Sequence, residues 1–267
     1  MPAETSLRTG STVQLMGLSL DAVSERDTVE YVLDGVSEGR GGWVCTANLD
    51  ILRQWRDSAE VRDIVALADL VVADGMPLIW AGRLQGSPLP ERVAGSTLVL
   101  SLTAAAANAG ASVFLLGGNP GAAEAAGARF IEMNPGLKLV GTLCPPFGFE
   151  RDPEWGDRIE QAVREAAPDI VYVGLGFPKQ ERVIVHLRAR MPSTWFVACG
   201  VSFSFVAGEV HRAPVMVQRL GLEWLHRLVQ EPKRLYRRYL VDGIPFFVTL
   251  LWSVVMARMS HADQLAP

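Results

Sequence analysis

The chain has 267 residues, 49% of them hydrophobic and 20% charged, with a formal net charge of −4. That is ordinary globular composition, long enough for one large core, and its net acidity excludes a general nucleic-acid binder. Its three cysteines, Cys45, Cys144 and Cys199, are odd in number and widely separated, which excludes a disulfide framework and fits a reducing compartment.

Residues 1–10 are polar and read as loose, with no basic start and apolar run of a secretory signal, so a cytoplasmic location is expected. Thr12–Leu20 reads as one strand, Val23–Glu38 as a helix and Gly42–Thr46 as a second strand. A long helix is expected over Leu49–Leu67, then a short buried strand at Leu70–Ala73. Two helices follow within 76–111, broken between Gly82 and Pro90. The alternation then becomes regular: strand 113–117, helix 121–133, strand 137–141, helix 154–167, strand 170–174, helix 179–190 and strand 195–199. Short apolar strands separated by helices of this length predict a mostly parallel, Rossmann-like α/β sheet flanked by helices.

The C-terminal part changes character. Pro214 starts a predicted helix running to Gln230, Pro232 interrupts it, and a basic turn follows at Lys233–Tyr239. Residues 212–240 hold seven basic residues against Glu223 and Glu231, a local net of +5 that leaves −9 elsewhere. Such segregation marks a region with its own anionic partner. Ile244–Ala257 carries no charged residue, yet fourteen residues fall short of a comfortable bilayer span. With Trp252 and the preceding basic cluster, the stretch suits a helix lying in a membrane surface; packing onto the domain is the alternative. The chain therefore divides into an α/β core, 1–211, and a basic, amphipathic helical appendage, 212–267.

Two turns have anion-binding grammar. One runs from Gly117-Gly118 into Asn119-Pro120-Gly121, the other from Gly174-Leu175-Gly176 through Phe177-Pro178 to a helix opening at Lys179-Gln180-Glu181. Each is a strand feeding a tight turn and a helix N-terminus, where unpaired N–H groups favour an anion. Asp74 follows the apolar run Leu70–Ala73 and precedes Gly75, at the carboxyl end of a strand. A shielded carboxylate there could take a proton from an attacking hydroxyl, or it could cap a helix. Thr46 and Asn48 occupy a comparable strand end, suited to a sugar or phosphate and equally to a turn. Arg92 could be a fork-shaped donor to a phosphate or carboxylate or simply a surface arginine, and Gln180 or Glu181 could read a base or ribose or simply cap.

No Asp-x-Asp pair, Walker pattern or Gly-x-Gly-x-x-Gly occurs, and Asp152-Pro153-Glu154 is the nearest imitation of a carboxylate pair. The four histidines make no metal-type spacing with one another or with the cysteines. No metal and no cofactor are expected, so leaving-group charge must be met by helix ends or arginines. Arg234, Arg237 and Arg238 share one face at helical spacing.

Thr46-Ala-Asn48, Ala73-Asp74-Gly75-Met-Pro77, Glu91-Arg92-Val93-Ala-Gly95, the Phe114–Gly121 turn, Gly174 to Glu181, Gly200 to Gly208, and Arg212-Ala-Pro214 through Glu223-Trp224 to Arg238 occur in this order. Together they resemble the WecG/TagA/CpsF glycosyltransferase family, over roughly residues 12–240. The resemblance implies inverting, metal-independent transfer of a sugar from a UDP-sugar to a polyprenyl-diphosphate-linked saccharide in cell-surface polysaccharide synthesis. The sugar is expected to be N-acetylmannosamine, its uronic acid, glucose or glucuronate. Asp74 is then the implied general base, and Thr46, Asn48, Arg92, Gln180, Glu181, Gly117, Gly118, Gly174 and Gly176 the implied substrate-binding set. By the same analogy Arg212, Arg219, Arg227 and Arg234 are candidates for the donor diphosphate. The implied setting is peripheral, on the inner face of the cytoplasmic membrane, and compatible with a homo-oligomer. The appendage would complete the pocket once it settles on the membrane. Two other readings compete: an NAD(P)-dependent oxidoreductase acting on a sugar nucleotide, which the missing glycine fingerprint disfavours, and a non-catalytic membrane-surface module.

Overall fold

The structure, a computed structural model, describes residues 11–264; residues 1–10, expected to be loose, lie outside it, as do the side chains of Val215, Arg219 and residues 260–264. In chain order the elements are β1 (Thr12–Leu15), β2 (Leu18–Asp21), α1 (Glu25–Ser37), β3 (Gly42–Ala47), α2 (Leu49–Asp57), α3 (Ala59–Val65), β4 (Leu70–Ala73), α4 (Met76–Gln85), α5 (Gly95–Ala109) and β5 (Ser112–Gly117). There follow α6 (Ala122–Met133), β6 (Lys138–Leu143), α7 (Pro153–Ala166), β7 (Ile170–Gly174), α8 (Lys179–Arg188), β8 (Trp195–Ala198) and α9 (Ser202–Ala207). The C-terminal segment forms α10 (Val215–Arg219), α11 (Glu223–Gln230), α12 (Pro232–Tyr236), a π-helical stretch (Arg237–Gly243) and α13 (Ile244–Gln264).

Six strands form one sheet in the order β4-β3-β8-β7-β5-β6, every pair parallel. A parallel sheet is covered by helices on both faces, so its strands read as apolar runs rather than as alternation. Accordingly β3, β4, β7 and β8 are buried along their whole length. Successive side chains feed opposite cores. Trp43, Cys45 and Ala47 enter one with Val171 and Val173, while Val44 enters the other with Ile170 and Tyr172. The predicted α/β class and parallel sheet are therefore observed. Between β4 and β5 the chain crosses from one edge strand to the far half of the sheet, and the carboxyl ends of all six strands face one rim.

Four local expectations are corrected. Thr12–Leu20 is a hairpin, because Met16 and Gly17 both take positive φ (50° and 92°) and Leu15 pairs with Leu18. The helix expected over Leu49–Leu67 is two, divided at Ser58, whose side chain accepts from Val61 N and caps the second. Gly221 (φ 72°) divides Pro214–Gln230 into α10 and α11, and a Cβ there would lie 2.6 Å from the Trp80 ring. The interruption expected at Pro232 is observed, with Glu231 out of helical geometry after Gln230, but the proline also opens a new helix, since it is tolerated in a first turn. The predicted basic turn is thus helical and runs on without a break. Pro232–Met259 is long and apolar enough, by length and composition, to cross a membrane.

Helix α13 nevertheless belongs partly to the core. Phe246, Leu250 and Val254, spaced by four, are buried in the same cluster as β3 and α4. Ile244, Val248, Trp252 and Met259 on the other side are exposed. Trp80 of α4 and Phe247 meet with ring centroids 6.0 Å apart.

Candidate active site

Asp74 sits immediately after β4, where its own N–H donates to Ala47 O of β3 (2.7 Å). It does not cap α4: Gly75 is the N-cap there, with no side-chain capping bond. The carboxylate turns instead toward the first turn of α5, accepting from Gly95 N at 3.4 Å. Its pKa is pushed up to about 6, chiefly because burial strips water from the charge. Arg92, the Gly95 amide and Arg227 pull it down again, and Glu223 pushes it up. Asp74 is half-buried at the open rim, so a hydroxyl from solvent can reach it.

Arg92 is brought beside Asp74 by the strap between α4 and α5, because Val93 N donates to Ala73 O (2.9 Å). Its Nη1 donates to Glu223 Oε2 of α11 at 2.9 Å, an ion pair largely shielded from water. Arg212 Nε lies 3.9 Å from the other Glu223 oxygen, too far for a hydrogen bond. Arg227 has Nη2 3.7 Å from Glu231 and its guanidinium 5.6 Å from the Phe205 ring centroid. Buried N–H groups on Arg212 (Nε and Nη2) and Arg227 (Nε) find no acceptor. Enclosed donors without acceptors are costly, and an anion at this rim would relieve them. Arg234, more exposed, donates to Glu231 at 2.7 Å. Arg219's side chain lies outside the described residues.

The other sequence candidates line the same rim with more local duties. Thr46 is buried and its hydroxyl donates to Ala198 O (3.0 Å), tying β3 to β8. Asn48 caps α2, its Oδ1 accepting from Asp50 N and Ile51 N, both at 3.1 Å. Gln180 joins two turns: its Oε1 accepts from Gly176 N (3.2 Å) and Gly200 N (3.3 Å), while its Nε2 donates to Glu181 (2.8 Å). Glu181 is fully buried, and desolvation raises its pKa to about 7. Gly117 and Gly174 are needed for close backbone approach, since a Cβ on Gly117 would stand 2.6 Å from Gly174 O. Gly118 N donates to that same oxygen (2.8 Å), and Gly176 adopts a φ of 77° in the turn before α8.

Three participants were given no role at the site from sequence. Glu223, quoted only within the family's pattern and as an offset to the basic segment, bridges Arg92 and Arg212. Asp50 takes Arg238 (Nε 3.2 Å away), so Arg234 and Arg238 serve different acids although their spacing is helical. Gly95 matters through a backbone amide. Asp152 caps α7 through Glu154 N and makes no carboxylate pair. Among the described residues no three His, Cys, Asp or Glu side chains gather as a metal cage. The appendage lies against the rim through the Arg92–Glu223 ion pair and against the core through the buried face of α13.

The chain matches the model of the glycosyl transferase WecG/TagA/CpsF family over residues 13–260. It is also 32% identical over 218 residues, 80% of each chain, to the N-acetylglucosaminyldiphosphoundecaprenol N-acetyl-beta-D-mannosaminyltransferase of Bacillus spizizenii. The family match runs across the rim residues, through the basic segment and most of α13. The family's pattern thus spans the parallel sheet, the rim at its carboxyl edge and the basic segment laid against it, and the chain is a glycosyltransferase of the WecG/TagA/CpsF family.

Proposed function

We propose that the chain transfers a hexosyl group from a UDP-sugar to a hydroxyl of a polyprenyl-diphosphate-linked saccharide, with inversion and without a metal ion. The N-acetylmannosaminyl group named for the Bacillus relative leads the candidates, with its uronic acid, glucose and glucuronate behind it. Asp74 takes the proton of the acceptor hydroxyl while that oxygen attacks the anomeric carbon from the face opposite the leaving group. The bond from carbon to phosphate oxygen breaks, and UDP departs with the electron pair. Arg212 and Arg227 meet the charge gathering on the departing diphosphate, with Arg234 as a more exposed neighbour. Arg92, fixed by Glu223, holds the acceptor or donor against Asp74, and Thr46, Asn48 and Gln180 shape the rim around them. The two glycine turns, Gly117-Gly118 and Gly174 to Gly176, bring backbone close to the nucleotide, with Glu181 behind Gln180.

One observation carries this reading: a desolvated, partly buried carboxylate shares its rim with buried guanidinium N–H groups that lack acceptors. The exposed apolar side of α13 and the +5 segment before it fit an enzyme resting on the anionic inner face of the cytoplasmic membrane. The test is a transfer assay with UDP-sugars and a short-chain lipid-diphosphate acceptor, with and without a chelator. Product whose new bond inverts the donor's anomeric configuration, at an undiminished rate in chelator, is expected. Strict dependence on added magnesium or manganese would overturn the metal-free mechanism.

A further inference from the structure

A second basic cluster lies outside the residues assigned to the donor. Asp50, in the first turn of α2, accepts from Arg53 Nη2 (2.9 Å) and from Gln54 Nε2 (3.1 Å). Arg238, from the π-helical stretch, brings its Nε to 3.2 Å of the same carboxylate, without the alignment of a hydrogen bond. One carboxylate therefore serves two guanidinium groups, leaving an excess positive charge. The Nε atoms of Arg53 and Arg238 are both enclosed by protein and lack an acceptor. One turn on, Arg56 places its guanidinium 4.8 Å from the ring centroid of Phe246 near the start of α13. The cluster so occupies the junction between the catalytic rim and the apolar helix.

Its position relative to Asp74 follows from the fold. β3 and β4 are hydrogen-bonded neighbours, with Ala47 opposite Ala73, and Asn48 begins α2 directly after β3. Strand spacing and helix rise place the Arg53 backbone on the order of 10 Å from that of Asp74. An acceptor whose reacting hydroxyl lies at Asp74 and whose tail runs along α13 must place its own charged linkage in between.

Resting on the proposed transfer to a lipid-linked acceptor, we infer that Arg53 and Arg238 bind the acceptor's diphosphate, a site separate from the donor diphosphate at Arg212 and Arg227. Paired guanidinium groups suit this ligand because each fork donates to phosphate oxygens, and the stranded Nε–H groups supply donors already desolvated. Asp50 holds both side chains in place while the site is empty.

The experiment is calorimetry on the full chain with two probes, farnesyl diphosphate and UDP. The double variant R53Q/R238Q is expected to weaken farnesyl diphosphate at least tenfold and leave UDP within twofold; R212Q is expected to do the reverse. The charge-conserving R53K/R238K should recover part of the farnesyl diphosphate affinity, which separates lost charge from lost folding. Retained affinity in R53Q/R238Q, or parallel loss of both probes there and in R53K/R238K, overturns the inference. If R212Q leaves UDP binding intact, the donor assignment fails while this one stands. Sedimentation with phosphatidylglycerol vesicles distinguishes the other source of phosphate: lost vesicle binding with unchanged farnesyl diphosphate affinity would give the pair to membrane headgroups and overturn the acceptor site.

Discussion

Asp74 is the proposed base, and its environment opposes the charge that this role needs. A base with a pKa near 6 is ionised at neutral pH yet still accepts a proton readily. The rate with saturating donor should therefore rise about tenfold per pH unit below 6 and level off above it. D74N should lose that limb and about a hundred- to ten-thousandfold in kcat; a variant within tenfold of the parent would remove Asp74 from proton transfer. The same shift fixes a sign for stability. Because the folded pKa stands above the ordinary carboxylate value, the native state holds a proton between about pH 4 and 6 that the unfolded chain has released. Stability from this group is thus present at low pH and falls as pH rises through the folded pKa. D74N should melt higher than the parent at pH 8, by the equivalent of about 1–3 kcal/mol, and should gain nothing below pH 4. A variant both inactive and more stable at pH 8 is hard to explain by misfolding. The place of Asp74 at a strand end was legible from sequence because an apolar run ending in Asp-Gly marks such an end. The pairing of Glu223 was not legible, although the residue stands in the family's pattern, because it involves two arginines 131 and 11 positions away that only folding brings to it.

Elements were legible where one periodicity ruled and illegible where a single residue changed the backbone's direction. The strands β3, β4, β7 and β8 announce themselves because burial on both faces leaves unbroken apolar runs. The hairpin at the start does not, since its turn carries Met-Gly in place of Asn-Gly; only the parity change from Val13 and Leu15 to Leu18 and Leu20, which one continuous strand would send to opposite faces, betrays it. Helix α13 was misjudged in length because charge was counted over Ile244–Ala257 alone, whereas the basic residues before it are helical as well. Its two sides make separate predictions. Leu250 is wholly buried, so L250A should cost about 2–5 kcal/mol, read as a lower denaturant midpoint. Val248 is exposed on the opposite side, so V248S should stay within about 0.5 kcal/mol of the parent. Equal, small effects at both positions would mean that α13 leaves the core in solution.

At the scale of the whole molecule, charge and apolar surface are segregated in the same direction. The +5 of residues 212–240 leads straight into the helix whose free side shows Ile244, Val248, Trp252 and Met259, while the −9 of the remainder keeps the rest of the surface from an anionic bilayer. Basic residues near such a surface add about 1 kcal/mol each, and that attraction is screened by salt; burial of apolar side chains is not. Binding to phosphatidylglycerol vesicles should therefore weaken steeply between about 0.05 and 0.5 M salt yet leave a residual component. W252S should remove the residual without changing the salt slope, and neutralising Lys233 and Arg237, which make no ion pair among the described residues, should flatten the slope without touching the residual. If instead W252S alone abolished binding at low salt, the basic segment would act only within the catalytic rim. Binding that depends on both terms would orient the rim, since the segment carrying Arg227 and Arg238 is continuous with the helix that touches the lipid. The acceptor would then meet Asp74 from the membrane side, with its diphosphate at headgroup depth and its saccharide reaching over β3 and β4.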